Sequence, residues 1–111
     1  MIEFETQTRP DGVAVVVPRG RLTMASARQM RELLAELVAG GSSRIVVDMG
    51  ETTFLDSSGL GALIAGLKSA RQAGGDLRVA RPTTAVMTVF ELTNLDKVLR
   101  PRDSVEAAFD D

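Results

Sequence analysis

Thr52-Thr53-Phe54-Leu55-Asp56-Ser57-Ser58-Gly59-Leu60-Gly61-Ala62-Leu63-Ile64-Ala65-Gly66 is the stretch on which the reading of this chain turns. Leu60, Leu63, Ile64 and Leu67 recur at i, i+3, i+4 and i+7, one apolar stripe of a helix, and predict a helix over 57–73 closed by Gly74-Gly75. Asp56 stands where an N-cap belongs, able to accept from an orphan backbone N–H and favoured by the positive end of the helix dipole. The turn that follows is poorly built for helicity. Gly59, Gly61 and Gly66 each cost about 1 kcal/mol relative to Ala, so they serve either close packing on a sheet or close approach by another molecule. Ser57 and Ser58 place two hydroxyls where backbone N–H groups point outward and negative charge is stabilised. A phosphate adds about −1.5 to −2 charge, which a helix start tolerates while a docked interface is spoiled. A first-turn Ser also commonly serves only to cap or solubilise, and these residues by themselves leave both readings open.

Upstream, 44–49 reads as a strand with Ile45, Val46 and Val47 as a buried run. Before it, Met30, Leu33, Leu34, Leu37 and Val38 predict an amphipathic helix, with Thr23 or Ser26 capping its start and Gly40-Gly41 its exit. Ile2, Phe4 and Thr6 alternate with Glu3, Glu5 and Gln7, a strand with one wet face; Arg9-Pro10-Asp11-Gly12 is a turn, and 13–17 is an apolar strand, so a hairpin follows. Pro18 lacks an N–H, so regular pairing is expected to end or bulge there. Downstream, the pattern predicts a strand over 77–80, a helix over 84–93 carrying Val86, Val89 and Phe90, a left-handed cap at Asn94, a last strand at Val98-Leu99 and a short helix over 104–109 begun by Asp103 or Ser104. The order β-β-α-β-α-β-α-β-α requires parallel pairing with right-handed crossovers. The expectation is one α/β domain over 1–111, a mixed β-sheet made of an N-terminal hairpin and then parallel strands, with about four helices.

Composition narrows the function. The 111 residues, 44% apolar and 25% charged, are enough for one core. A net charge of −2 gives no electrostatic footprint for nucleic acid. With no Cys and no His there is no disulfide, thiolate nucleophile, common zinc site or imidazole base. No segment has the roughly 20 apolar residues that span a bilayer, and no signal peptide is evident, so a cytoplasmic location is expected. Asp48 at a strand end is expected to bond nearby backbone N–H groups, and Arg19, Arg21, Arg100 and Arg102 receive no role. Met24 and Met87 fall off the helical stripes and are candidates for a partner surface.

Gly20-Arg21-Leu22 before the first helix, Ile45-Val46-Val47-Asp48-Met49, Phe54-Leu55-Asp56-Ser57-Ser58-Gly59-Leu60-Gly61, Gly74-Gly75 before a strand and Val89-Phe90-Glu91-Leu92-Thr93-Asn94-Leu95 occur in this order. With them the chain resembles, over essentially its whole length, the STAS domains, and within them the small stand-alone anti-sigma factor antagonists of bacteria. The resemblance implies a non-enzymatic partner switch without cofactor or metal. The unphosphorylated protein binds an anti-sigma factor that is also a serine kinase, freeing the sigma factor; the kinase phosphorylates it and a serine phosphatase resets it. Neither nucleic acid nor membrane is bound directly. The phosphoacceptor, the second Ser of the motif, falls on Ser58; Asp56 caps the helix beside it, and Thr23, Met24, Ser57, Gly59 and Gly61 complete the implied partner-binding set. Two positions depart: Thr23 stands where the family often has Asp, and Asn94 where it has Gly. The alternative implied by the same resemblance is a cytoplasmic STAS subunit docked on a membrane transporter's ATPase, which Thr23 favours.

Overall fold

A computed structural model describes residues 2–110; Met1 and Asp111, the two ends of the expected domain span, lie outside the described residues. The turn at Pro10-Asp11-Gly12 forms as expected, with Gly12 at φ +87°, its N–H donating to the Arg9 carbonyl at 2.9 Å, and Asp11 Oδ1 accepting from Val13 N–H at 3.1 Å. It joins β1 (Glu3–Thr8) to β2 (Ala14–Leu22) as an antiparallel hairpin. Then come α1 (Met24–Ala39), β3 (Arg44–Asp48), β4 (Thr52–Leu55), α2 (Ser57–Gln72), β5 (Asp76–Ala80), α3 (Thr84–Thr93) and α4 (Asp96–Leu99). The strands run β1-β2-β3-β5, and β4 pairs with β2; every pairing but β1–β2 is parallel. This is the expected mixed sheet with four helices.

β2 organises the sheet because it has two parallel partners in succession. Residues 14–16 pair with β3 and 20–22 with β4, with an irregularity between Gly20 and Arg21. Pro18 lies in the gap, where its missing N–H deprives no ladder of a donor. Its carbonyl accepts from Thr52 Oγ1 at 3.0 Å, a buried contact. The interruption expected at Pro18 therefore falls on one side of the strand only; the antiparallel register to β1 continues through Phe4↔Pro18 and Glu3↔Arg19.

One face of the sheet carries the main core. Met30 and Leu34 of α1, Leu63, Leu67 and Ala70 of α2 and Phe90 of α3 close over Val16, Ile45, Val47, Leu77 and Val79. Each fully buried large aliphatic side chain contributes about 1.5–3 kcal/mol. A Cβ on Gly66 would run into the Leu34 side chain, so this glycine sets how closely α1 and α2 approach. On the other face, Val13, Val46 and Ala80 are covered by Ala108 with Val105 and Phe109. Buried Arg78 holds that cover, donating to the Ala108 carbonyl at 3.1 Å with its guanidinium 4.8 Å from the Phe109 ring centroid.

Three expectations are corrected. The strand β4 was not foreseen: four residues with only Thr52 and Leu55 buried are too few to display a period of two. Val98-Leu99 is not a strand but the end of α4. Asn94, left-handed at φ 60° as expected, turns the chain, Leu95 N–H returns to the Phe90 carbonyl at 2.9 Å, and Leu99 N–H then bonds Leu95 O at 2.9 Å. Two adjacent apolar residues do not distinguish strand from helix. The segment expected as a helix over 104–109 forms consecutive turns, with i→i−3 bonds from Ala108 to Val105 and from Asp110 to Ala107 in place of an α-helical ladder. A stretch this short nucleates α-helix poorly. Where a last strand was expected, the chain after α4 meets β5 at an isolated parallel bridge, Ala80↔Arg102.

Replacing Thr52 by Val keeps shape and removes the donor to Pro18. Thr52→Val is expected to cost about 1–3 kcal/mol, the range for leaving a buried acceptor unpaired. Urea unfolding checks this: the midpoint falls and the slope is unchanged.

Candidate functional site

β2 and β4 end side by side, with Leu22 opposite Leu55. Each strand runs almost at once into a helix, α1 from Met24 and α2 from Ser57, so two helix N-termini open on one edge of the sheet. The sequence explains the sharpness of both starts. Thr23 and Asp56 are N-caps with extended backbone. Buried Ser26 accepts from Thr23 N–H at 3.1 Å and donates to the Arg21 carbonyl at 3.1 Å, so the two residues weighed as alternative caps act at the same helix start.

Asp56 ties the two starts together. Its Oδ1 accepts from Gly59 N–H at 2.8 Å, inside its own helix, and its Oδ2 accepts from Met24 N–H at 3.0 Å, the first residue of α1. These N–H groups, Gly59 foremost and Met24 adding to it, hold the carboxyl below the usual carboxylate range. Beneath it, Asp56 N–H donates to the Leu22 carbonyl at 3.3 Å. Gly59 is buried, and a Cβ there would collide with the same Leu22 carbonyl and with Leu55 Cδ1, so its small size brings α2 down onto the end of β2.

The serines are placed differently. Ser57, the first helical residue, is exposed; Ser58 is half-buried. Neither hydroxyl has a hydrogen-bond partner among the described residues. Half-buried Gly61 lies one turn further on, where a Cβ would stand 3.2 Å from Arg31 Nη2. Thr23 is half-buried, and Met24 is 77% exposed. Among the residues named from sequence, Asp56 joins Thr23-Met24 to Ser57-Ser58-Gly59 directly. Met87 is half-buried and packs on the main core.

Sequence reasoning gave no role to two features of this edge. Phe54 is 41% exposed with the Arg21 guanidinium 4.4 Å from its ring centroid, and Arg31 lies over the start of α2. The signal for Phe54 was present once 52–55 is read as a strand, since Phe54 then points away from buried Leu55. For Arg31, on the polar side of α1, there was none. Leu92, 80% exposed on α3, was also missed.

Asp48 behaves as a strand-end residue, accepting from Gly50 N–H at 3.1 Å, and it also pairs with Arg81 Nε at 2.9 Å. It therefore has its own partners, separate from those of Asp56. Arg19 bonds Glu5 at 2.9 Å and Glu51 at 3.0 Å. Among the described residues no group of three or more acidic side chains is placed to hold a metal ion, and no helix is long and apolar enough to cross a membrane.

Residues 5–101 match the family model described as "Mlab, STAS domain". BtrV of Bordetella bronchiseptica is 30% identical over 103 residues, covering 93% of this chain and 89% of that one. An anti-sigma factor antagonist from Mycobacterium paratuberculosis has a crystal structure with a TM-score of 0.87 at 26% identity, covering 99% and 92% of the two chains. The Bacillus anti-sigma factor antagonist SpoIIAA shares the fold: its unphosphorylated form gives a TM-score of 0.83 at 21% identity, covering 97% and 94%, and its phosphorylated form 0.76 at 20%, covering 97% of each.

Because the folded carboxyl of Asp56 titrates below its unfolded value, its contribution to stability is present above the unfolded value, near pH 4, and is lost as pH falls through the folded one. Asp56→Ala is expected to lower the melting temperature at pH 7 and to narrow its gap from wild type as pH drops below about 4. Thermal unfolding followed from pH 7 down to pH 3 measures this, and a gap that stays constant or widens on acidification contradicts it.

Proposed function

The chain belongs to the STAS domain family, and from that membership we propose that it is a non-enzymatic anti-sigma factor antagonist, active in the cytoplasm, whose binding edge is switched by phosphorylation of Ser58. The observation that carries the reading is the Ser58 hydroxyl itself, half-buried and without a hydrogen-bond partner among the described residues, at a helix start beside exposed Met24. A hydroxyl so placed is free to accept a phosphoryl group without breaking the fold. Relatives named as anti-sigma factor antagonists support the partner class, and SpoIIAA, with structures of both its unphosphorylated and phosphorylated forms, supports the switch.

The physical effect follows from the surroundings. Unmodified, the edge offers a docking partner the apolar surfaces of Met24 and Phe54 around a single carboxylate, Asp56, whose oxygens are already engaged. A phosphate two residues from Asp56 makes the same edge strongly anionic and must be desolvated if the partner is to close over it. A penalty of about 3 kcal/mol weakens binding roughly 150-fold, enough to release a partner held near its dissociation constant. The partner in this reading is an anti-sigma factor with serine kinase activity, and a serine phosphatase restores the binding form.

A second reading, a subunit docked on a membrane transporter's ATPase, draws on Thr23: the first turn of α1 contains no acidic residue beside Ser58. The two readings separate in one experiment. Immobilised wild type, Ser58→Ala and Ser58→Glu are used to capture partners from cell lysate, quantified by mass spectrometry. A small kinase-like ATPase retained by wild type and Ser58→Ala and lost from Ser58→Glu is the expected result. Equal retention on all three removes the switch, and recovery of a transporter ATPase on all three moves the protein to the transport reading.

A further inference from the structure

Resting on the reading of Ser58 as a phosphorylation site, we propose that Arg31 of α1 is the intramolecular cation that receives the Ser58 phosphate. Arg31 makes no hydrogen bond or ion pair with any described residue. The other arginines near this edge are engaged: Arg28 with Glu32 at 3.2 Å, Arg21 over the Phe54 ring, and Arg19 between Glu5 and Glu51. Position selects it too. Gly61 follows Ser58 by three residues, so both lie on one face of α2, with Cβ positions about 5–6 Å apart. Arg31 Nη2 stands 3.2 Å from where a Gly61 Cβ would be. Its guanidinium is thus within about 9 Å of the Ser58 Cβ, a span that a phosphoserine on one side and a four-torsion arginine stem on the other close together.

The chemistry of the edge leaves the phosphate few other donors. Asp56 already takes the Gly59 N–H of the helix start and the Met24 N–H of the neighbouring one. A guanidinium fork matches two phosphate oxygens, and nothing acidic competes for Arg31. Gly61 then acquires a role distinct from that of Gly59. With no side chain it leaves open the path between Ser58 and Arg31, and a larger residue there would stand between the phosphate and its cation. Phosphorylation accordingly does two things to the docking edge: it adds a dianion and it draws Arg31 across the first turn of α2. The other charged groups on the elements meeting here are Arg28, Glu32 and Glu36 of α1, Lys68 and Arg71 of α2, Arg19 and Arg21 of β2 and the cap Asp56; Asp56, two residues from Ser58, opposes ionisation of the phosphate.

The test uses the full chain with phosphoserine installed at position 58 by genetic encoding, so that no kinase is needed. The second ionisation of the phosphate, ordinarily near pH 6, is followed by ³¹P NMR against pH in wild type, Arg31→Gln and Arg28→Gln. A cation at the phosphate favours the dianion, so wild type titrates lowest. Arg31→Gln is expected to raise the midpoint by a few tenths of a unit, the size an exposed ion pair supports, while Arg28→Gln leaves it in place. Equal midpoints in wild type and Arg31→Gln overturn the proposal, as does an equal rise in both variants, which would mark a general charge effect. This readout requires no partner, so it fails independently of the switch: a shifted midpoint with phosphorylation-insensitive partner capture keeps the Arg31 contact and removes the switch.

Discussion

A single carboxylate holds the two halves of the candidate site in register. Asp56 accepts from the helix it caps and from the first residue of the neighbouring helix, so the starts of α1 and α2 are fixed relative to one another by two hydrogen bonds of 2.8 and 3.0 Å from one side chain. The bond to Met24 would not exist if the two strands feeding these helices ended at different heights. The placement of Met24, Ser57 and Ser58 on a common edge therefore depends on a hydrogen-bonded ion whose charge both helix dipoles favour. The low carboxyl pKa direction of Asp56 and the shape of the surface around Ser58 have the same origin.

What brings the strand ends level is the change of partner along β2. A strand paired with β3 alone would leave β4, and with it the start of α2, without a place in the sheet. Pro18 removes one donor at the point where β3 leaves and before β4 arrives, and Thr52 supplies from its side chain the donor that the vacated carbonyl needs. Thr52 is in turn tied forward, since its own carbonyl accepts from Thr83 Oγ1 at 3.1 Å, at the N-cap of α3. The short strand is thus held by side-chain hydroxyls at the end where its backbone ladder is irregular. A residue that looks like a breaker in sequence is here the means by which one strand serves two neighbours.

Much of this was legible because local chemistry and tertiary demand agree. The stripes of α1 and α2, the buried run at Ile45-Val46-Val47, the turn at Gly12 and the left-handed Asn94 each follow from residues whose preferences the fold keeps. The capping role of Asp56 was readable; its second bond, to Met24 32 residues away, was not, because nothing in sequence spacing records that two helix starts are adjacent. The failures share that character. β4 exists through pairing with β2 rather than through its own pattern. Val98-Leu99 became helix because Asn94 had redirected the chain, and 104–109 formed turns that cover Val13, Val46 and Ala80, where contact with the sheet counts for more than helical continuity.

The glycines of the motif show how far a composition signal reaches before geometry must divide it. Gly59, Gly61 and Gly66 present the same cost in helix propensity and the same two explanations, packing or approach by another molecule. Gly66 faces Leu34 and Gly59 faces the Leu22 carbonyl, both inside the fold, and any added carbon there displaces buried structure. Gly61 faces only the end of an exposed arginine, a group that can move aside. Packing therefore accounts for two of the three and not for the third. The residue whose absence of a side chain the core does not require is the one that opens α2 toward Arg31, on the face it shares with Ser58.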